Sequence, residues 1–251
     1  MKRLALICLS LLTIAALVLS GCAPSASAAK VKVATNAEFA PFEYVDEKTK
    51  EITGYDIDLI NAIAKKAGMD IEIINTGFDA MLAGISECQY DVAIAAISIT
   101  DERKQSILFS DPYTVAGQTV VVPIGNETIK GPQDLKGKTI GAQIGTTGAE
   151  EAGKIENATV KTYDNYEFAF LDLTNGQIDA VVVDNPVANA YVARNAGKLK
   201  VVSNVFTSEN YGVAICKNKP DLQKKINDAL SGLKSDGTLK QLEDKWLVPQ
   251  G

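Results

Sequence analysis

Between residues 31 and 97 the chain reads strand, helix, strand, helix, strand, and this alternation restricts its fold more than any other feature. Lys30 to Ala34 alternates apolar and polar residues in the period of a strand. After Gly54-Tyr55-Asp56, the residues Ile57, Ile60, Ile63, Ala64 and Ala67 recur at helical spacing, and Gly68 stands where a left-handed C-cap belongs. Asp70 to Asn75 alternates again, Phe78 to Ser86 reads as a short helix, and Asp91 to Ile97 is an apolar run of the buried-strand kind. Such a series folds as a parallel sheet covered by helices. Ligands gather at the carboxyl ends of the strands in these folds. The loop Asn36–Phe39, Phe78 and the stretch Ser98–Arg103 all fall at those ends.

A second series follows. Gly117 to Val122 is a β-rich run leaving the first unit. The pattern then gives a strand at 138–143, a helix from about Thr147, a strand at 159–162 and a helix at 165–174 opened by an Asp164-x-x-Glu167 capping box. A strand at 178–183, a helix at 186–195 and a short strand near 199–202 complete it. Tyr211 to Cys216 is another β-run, followed by helices at 221–235 and 238–246. A terminal piece of that size cannot hold a core alone, so it is expected to return to the first unit. The expected organisation is a first lobe of residues 30–116 plus 208–251 and a second of 117–207. Two crossings, near 114–122 and 202–212, would form a hinge.

The N-terminus stands apart. Lys2-Arg3 precede an uncharged apolar run from Leu4 to Leu19, short for a membrane span. The tetrad Leu19-Ser20-Gly21-Cys22 resembles a bacterial lipobox. That resemblance implies a signal peptide of residues 1–21, lipid on Cys22 holding the protein to a membrane, and a linker of residues 22–29. The formal charge of −6 becomes more acidic once Lys2 and Arg3 are removed, and no basic cluster appears, which argues against a nucleic-acid partner. The chain has no histidine, which removes Ser-His-Asp and Cys-His catalysis and every imidazole metal site. Cys88 and Cys216 lack CxxC spacing, so neither a redox motif nor zinc is indicated, and an oxidising exterior would permit a disulfide between them. No cofactor and no metal are expected.

Three motifs carry chemistry. Thr100 can N-cap a short helix with Asp101 and Glu102 in its first turn, placing Arg103 at the third helical position beside the strand end. A guanidinium next to free N–H groups and hydroxyls can receive a small carboxylate. Gly141 to Gly148 (GAQIGTTG) sits between a strand and a helix, where glycines expose backbone N–H groups. It is not GxGxxG, and Gly131 to Thr139 has one residue too many for a P-loop. Finally, the strand from Ile178 ends in Asp184, which can cap the helix opening at Pro186, face a ligand, or do both.

Ser98-Ile99-Thr100-x-x-Arg103 followed by Phe109-Ser110-x-Pro112-Tyr113 resembles the extracytoplasmic amino-acid-binding proteins of ABC importers, the family 3 solute-binding proteins. The resemblance implies an α/β, two-lobed periplasmic-binding-protein fold of type II over residues 30–248, each lobe a mostly parallel sheet flanked by helices, with a two-stranded hinge. It gives Arg103 the ligand's α-carboxylate, with Thr147 supplying backbone N–H and hydroxyl, and Asp184 the α-ammonium. Ala96, Ser98 and Thr100 complete that grip. Phe39 and Phe78 align with positions that sandwich the ligand's side chain. Asn36 stands where receptors for basic amino acids often carry an acid. Glu38 would supply that charge, and Gln143 matches arginine-binding relatives better than glutamine-binding ones. The expected ligand is therefore arginine or another basic amino acid, with glutamine next. The implied partners are an L-amino acid and an importer permease, and the protein is expected to be a monomer. The returning strand, antiparallel to 91–97 in the family, would bring Cys216 near Cys88, as a disulfide or as two buried thiols. Two other classes remain. Some relatives of this fold are dehydratases of cyclic carboxylates, which need a positioned acid, here Glu38. A signalling receptor domain would require a separate partner.

Overall fold

The computed structural model describes residues 29–247. The leader, the Cys22 site and residues 248–251 lie outside the described residues.

The chain opens with β1 (Val31–Thr35), a small antiparallel meander of β2 (Glu38–Phe39), β3 (Glu43–Val45) and β4 (Ile52–Thr53), and then α1 (Tyr55–Ala67). β5 (Ile71–Asn75), α2 (Phe78–Ser86), β6 (Val92–Ala93) and β7 (Ile107–Phe109) follow. β8 (Thr114–Ala116) and β9 (Gln118–Pro123) lead into β10 (Thr139–Gln143), α3 (Thr147–Gly153), β11 (Thr159–Tyr163), α4 (Tyr166–Thr174), β12 (Ala180–Asp184), α5 (Asn185–Arg194) and β13 (Leu199–Val201). β14 (Glu209–Tyr211) and β15 (Ala214–Cys216) bring the chain back, and α6 (Pro220–Ser235) and α7 (Thr238–Trp246) end it.

Two five-stranded sheets result, ordered β5-β1-β6-β15-β7 and β11-β10-β12-β9-β13. In each, four strands run one way and the fourth in order runs against them. The reversed strands, β15 and β9, are the two that enter from the other half of the molecule. β8 and β14 pair antiparallel between the sheets, Thr114 opposite Tyr211 and Ala116 opposite Glu209, as the two-stranded crossing. The Sγ atoms of Cys88 and Cys216 are 2.00 Å apart in a disulfide joining the turn after α2 to the end of β15.

Local chemistry explains the elements that carry the site. α1 begins at Gly54, whose φ of +132° suits only glycine and where a Cβ would lie 2.1 Å from the Phe42 carbonyl oxygen. It ends at Gly68 (φ +64°), with Met69 N–H returning to the Ala64 carbonyl at 2.9 Å. Leu59, Ile60 and Ile63 are wholly buried, each stabilising by about 1.5–3 kcal/mol. α6 and α7 pack on α1, so the terminal helices complete the first sheet's core. Asp58 of α1 accepts from Trp246 Nε1 of α7 at 2.8 Å.

The structure corrects four readings. The 91–97 run is a strand only at Val92–Ala93, because Ala96 turns into a left-handed conformation (φ +46°). Arg103 opens a short 3-10 turn, Arg103–Gln105, instead of standing third in a helix. Tyr211–Cys216 breaks in two at Gly212, where a Cβ would meet Ile99 at 2.8 Å. α4 is capped by Asn165, whose side chain accepts from Phe168 N–H at 3.2 Å, so the Asp164-x-x-Glu167 box is one residue out of register.

Candidate functional site

The carboxyl ends of both sheets face each other across a narrow cleft. Its cavity is lined by Phe39, Phe78, Ala95, Ala96, Ser98 and Arg103 from one side and by Gln143, Thr146, Thr147 and Asp184 from the other. The volume left is about 10 Å³, room for about one water. An amino acid therefore enters only if the two faces separate first.

Arg103 is placed by the turn that holds it. Thr100 Oγ1 accepts the Arg103 backbone N–H at 3.1 Å, so the threonine caps this turn instead of lining the cavity. Arg103 Nη1 donates to the Ser98 carbonyl at 2.7 Å, and Nη2 crosses the cleft to the Gly145 carbonyl at 2.9 Å. Its guanidinium carbon lies 5.8 Å from the centre of the Phe78 ring. Arg103 is buried, and burial lowers its affinity for a proton, opposed by the charges of Glu150, Asp184 and Glu209. Among the described residues no carboxylate forms an ion pair with it. A buried cation held only by carbonyls is an incomplete pair, and a ligand carboxylate would complete it.

Asp184, at the end of β12, is buried and accepts from the Tyr211 hydroxyl at 2.7 Å. Although it stands at the N-cap position of α5, its side chain makes no capping bond. Of the two roles left open for it, the structure removes the cap. Burial, then the charge of Glu209, pushes its pKa up to about 6. An ammonium group beside it would relieve both effects.

Thr146 caps α3, its hydroxyl accepting from Ala149 N–H at 3.2 Å. Thr147 and Gly148 thus begin a helix at the cleft. A Cβ on Gly148 would meet the Gln118 Oε1 at 2.9 Å and the Val182 carbonyl at 3.0 Å, so this close approach requires glycine. Gln143 Nε2 donates across the cleft to Asn36 Oδ1 at 3.0 Å. Asn36 is buried beside the cavity without lining it, and its Nδ2 reaches Thr76 O at 3.0 Å and Glu38 Oε2 at 3.4 Å. Glu38 is exposed at the rim. Phe39 meets Tyr166 of α4 across the cleft, ring centres 5.7 Å apart.

Glu209 was not anticipated. From the hinge strand β14 its carboxylate accepts from Ser98 Oγ at 2.5 Å, Thr147 Oγ1 at 2.8 Å, Gln118 Nε2 at 3.0 Å and Thr207 Oγ1 at 2.8 Å. It therefore engages both sides at once. No spacing or motif marks it in the sequence; its only signal is an acid within the second crossing.

These features define a two-lobed α/β protein whose cleft sets a buried cation opposite a buried acid. Residues 31–249 match the model of the bacterial extracellular solute-binding proteins, family 3. The chain belongs to that family, whose members bind solutes outside the cytoplasm for transporters and are not enzymes. It is 36% identical to the L-cystine-binding protein TcyJ of Escherichia coli (strain K12) over 216 residues, 85% of this chain and 81% of TcyJ. An ancestral arginine-binding protein bound to arginine superposes with a TM-score of 0.84 at 43% identity, covering 87% of this chain and 98% of the other. An ancestral arginine-binding protein bound to glutamine gives 0.80 at 43% identity, covering 86% and 97%. The arginine-, lysine-, histidine-binding protein ArtJ of Geobacillus stearothermophilus gives 0.83 at 41% identity, covering 88% and 97%.

Proposed function

We propose that this protein is the extracytoplasmic component of an ABC importer that captures a polar or basic L-amino acid, arginine first, by closing its cleft. The observation that carries the reading is the buried Arg103, which forms no ion pair among the described residues, facing the buried Asp184 across the same cavity. One end of a zwitterion would pair with each, and both pairs would exist only in the closed state. Ligand contacts unique to that state are what drive closure. The hinge would be the β8–β14 pair, with lobes of residues 30–116 plus 208–251 and 117–207. Thr147 and Ser98 would join Arg103 and Asp184 at the α-carbon end, while Phe39 and Phe78 would flank the side chain. Arginine is favoured by planar stacking on those rings and by the acid at Glu38 near Asn36 and Gln143. Relatives named for arginine binding support the same choice. The ancestral protein bound to glutamine keeps a glutamine-selective receptor as the second reading. We further propose that lipid on Cys22 holds the protein, a monomer, to the membrane beside its permease.

The test is thermal unfolding of refolded, ligand-stripped protein against all twenty amino acids. A ligand that binds only the folded state raises the melting temperature by mass action. The largest shift is expected with arginine. A shift with glutamine alone would replace the first reading by the second, and no shift with any amino acid would overturn both.

A further inference from the structure

Beneath the cleft, two buried carboxyl groups face each other and belong to no part of the site described above. Glu43 of β3 and Asp56 in the first turn of α1 are both fully buried. The close approach at Gly54 brings them together, with Asp56 N–H donating to the Phe42 carbonyl at 2.9 Å. Asp56 Oδ2 accepts the Ala96 backbone N–H at 2.7 Å and the Tyr113 hydroxyl at 2.8 Å. Asp56 Oδ1 and both Glu43 oxygens have no other partner, and no cation pairs with either group, among the described residues. Two carboxylates in such a place ionise together only at a cost, which a proton on one of them relieves. Burial and the charge of Asp56 push Glu43 well above the ordinary carboxyl range. Asp56 is also pushed up by burial, opposed by the Ala96 N–H and Tyr113 hydroxyl that donate to it.

What Asp56 holds is the floor of the cleft. Ala96 has φ +46°, a left-handed conformation that an alanine adopts only at a cost. Two residues on, the Ser98 carbonyl takes Arg103 Nη1, and Ala95, Ala96 and Ser98 all line the cavity. We propose that Asp56, packed against Glu43, is the positioning residue of the amino-acid site: it fixes the Ala96 turn and, through Ser98, aims Arg103 at the α-carboxylate. This rests on the amino-acid reading above. The other titratable groups around the pair are Tyr55 on α1, Tyr113 before β8, Tyr211 on β14 and Glu243 on α7. The three phenols are all pushed up by burial, and Glu243 acts on Tyr55.

The test is calorimetric titration of the full chain with L-arginine and L-glutamine, beside melting curves from pH 5 to pH 8, for wild type, Asp56→Asn and Glu43→Gln. Asp56→Asn is expected to weaken both amino acids by one common factor above about tenfold, since the turn serves the carboxylate they share. Adding Ala96→Gly should recover part of that loss, because glycine adopts the turn freely. Glu43→Gln places a neutral donor beside Asp56 and should retain affinity. The Glu43 carboxyl is pushed up on folding, so its favourable contribution is complete at low pH and is lost as pH rises toward its folded value. Glutamine does not titrate, so Glu43→Gln should melt above wild type at pH 8, by a gap that narrows toward pH 5. A folded Asp56→Asn protein that binds like wild type would overturn the proposal. Should that variant not fold, Glu43→Gln decides: a parallel melting profile, or arginine binding weakened tenfold, overturns it. Wild type that binds no amino acid overturns the functional reading itself, before any substitution is made.

Discussion

The two sheets have one strand order and one reversed strand each, yet they deliver opposite charges to the cleft by different means. In the first, the cation arrives late, on a turn beyond the strand's end. Arg103 depends on Thr100 for its backbone, on Ser98 for one nitrogen, and on the left-handed Ala96 before them. In the second, the anion is the strand's own last residue, Asp184, fixed by the sheet and by Tyr211. A cation on a turn needs support from beneath, and the Glu43–Asp56 pair stands there. An acid on a strand end is held by the sheet itself, with the Tyr211 hydroxyl beside it. Glu209, in the strand that joins the halves, touches both arrangements.

The comparison can be broken by substitution. Arg103→Ala should be the most damaging change, lowering arginine and glutamine affinity alike by more than about a hundredfold, as calorimetry would show. If it instead changed only the preference between them, the turn would be serving the side chain. Asp184→Asn should cost about tenfold or more and should also remove a pH dependence. In the closed cleft burial pushes Asp184 up to about 6, and an ammonium partner would lower that value, so binding below pH 6 is expected to release a proton. Affinity in wild type is expected to fall as pH drops below 6, by up to about tenfold per unit, and the asparagine variant should lack this fall. Glu209→Gln should be milder, about three- to tenfold, because the amide still accepts from a hydroxyl on one side while its NH2 opposes the other. Glu38→Gln should be smallest. At the exposed rim it should shift the arginine-to-glutamine ratio by about two- to fivefold and leave glutamine binding itself unchanged.

How far the sequence revealed these arrangements follows from the same contrast. Regular elements were legible because period and punctuation agree: Phe78–Ser86 was read to the residue, and Gly68 ends α1 where its glycine predicts. Arg103, Asp184, Thr147, Ser98 and Phe39 could be named in advance because each stands at a strand end or in a recognisable motif, and the structure gathers them around one cavity. The left-handed Ala96 was hidden, since alanine carries no turn signal and only a distant carboxylate holds it there. Nothing in the local pattern around Glu43 and Asp56 signals that they are buried. Their burial depends on Gly54 admitting a carbonyl at close range, a tertiary fact that no local pattern encodes. Glu209 escaped for a similar reason, its four donors coming from segments up to 111 residues away.

The central claim is that each half grips one end of a zwitterion. The direct measurement is calorimetric titration of ligand-stripped protein with L-arginine and with agmatine, which keeps the guanidinium and lacks the carboxylate. The account predicts that agmatine, leaving the buried Arg103 unpaired, binds more weakly than L-arginine by at least about a hundredfold. Equal affinity for the two would show that Arg103 receives no carboxylate, and would contradict the account at its centre.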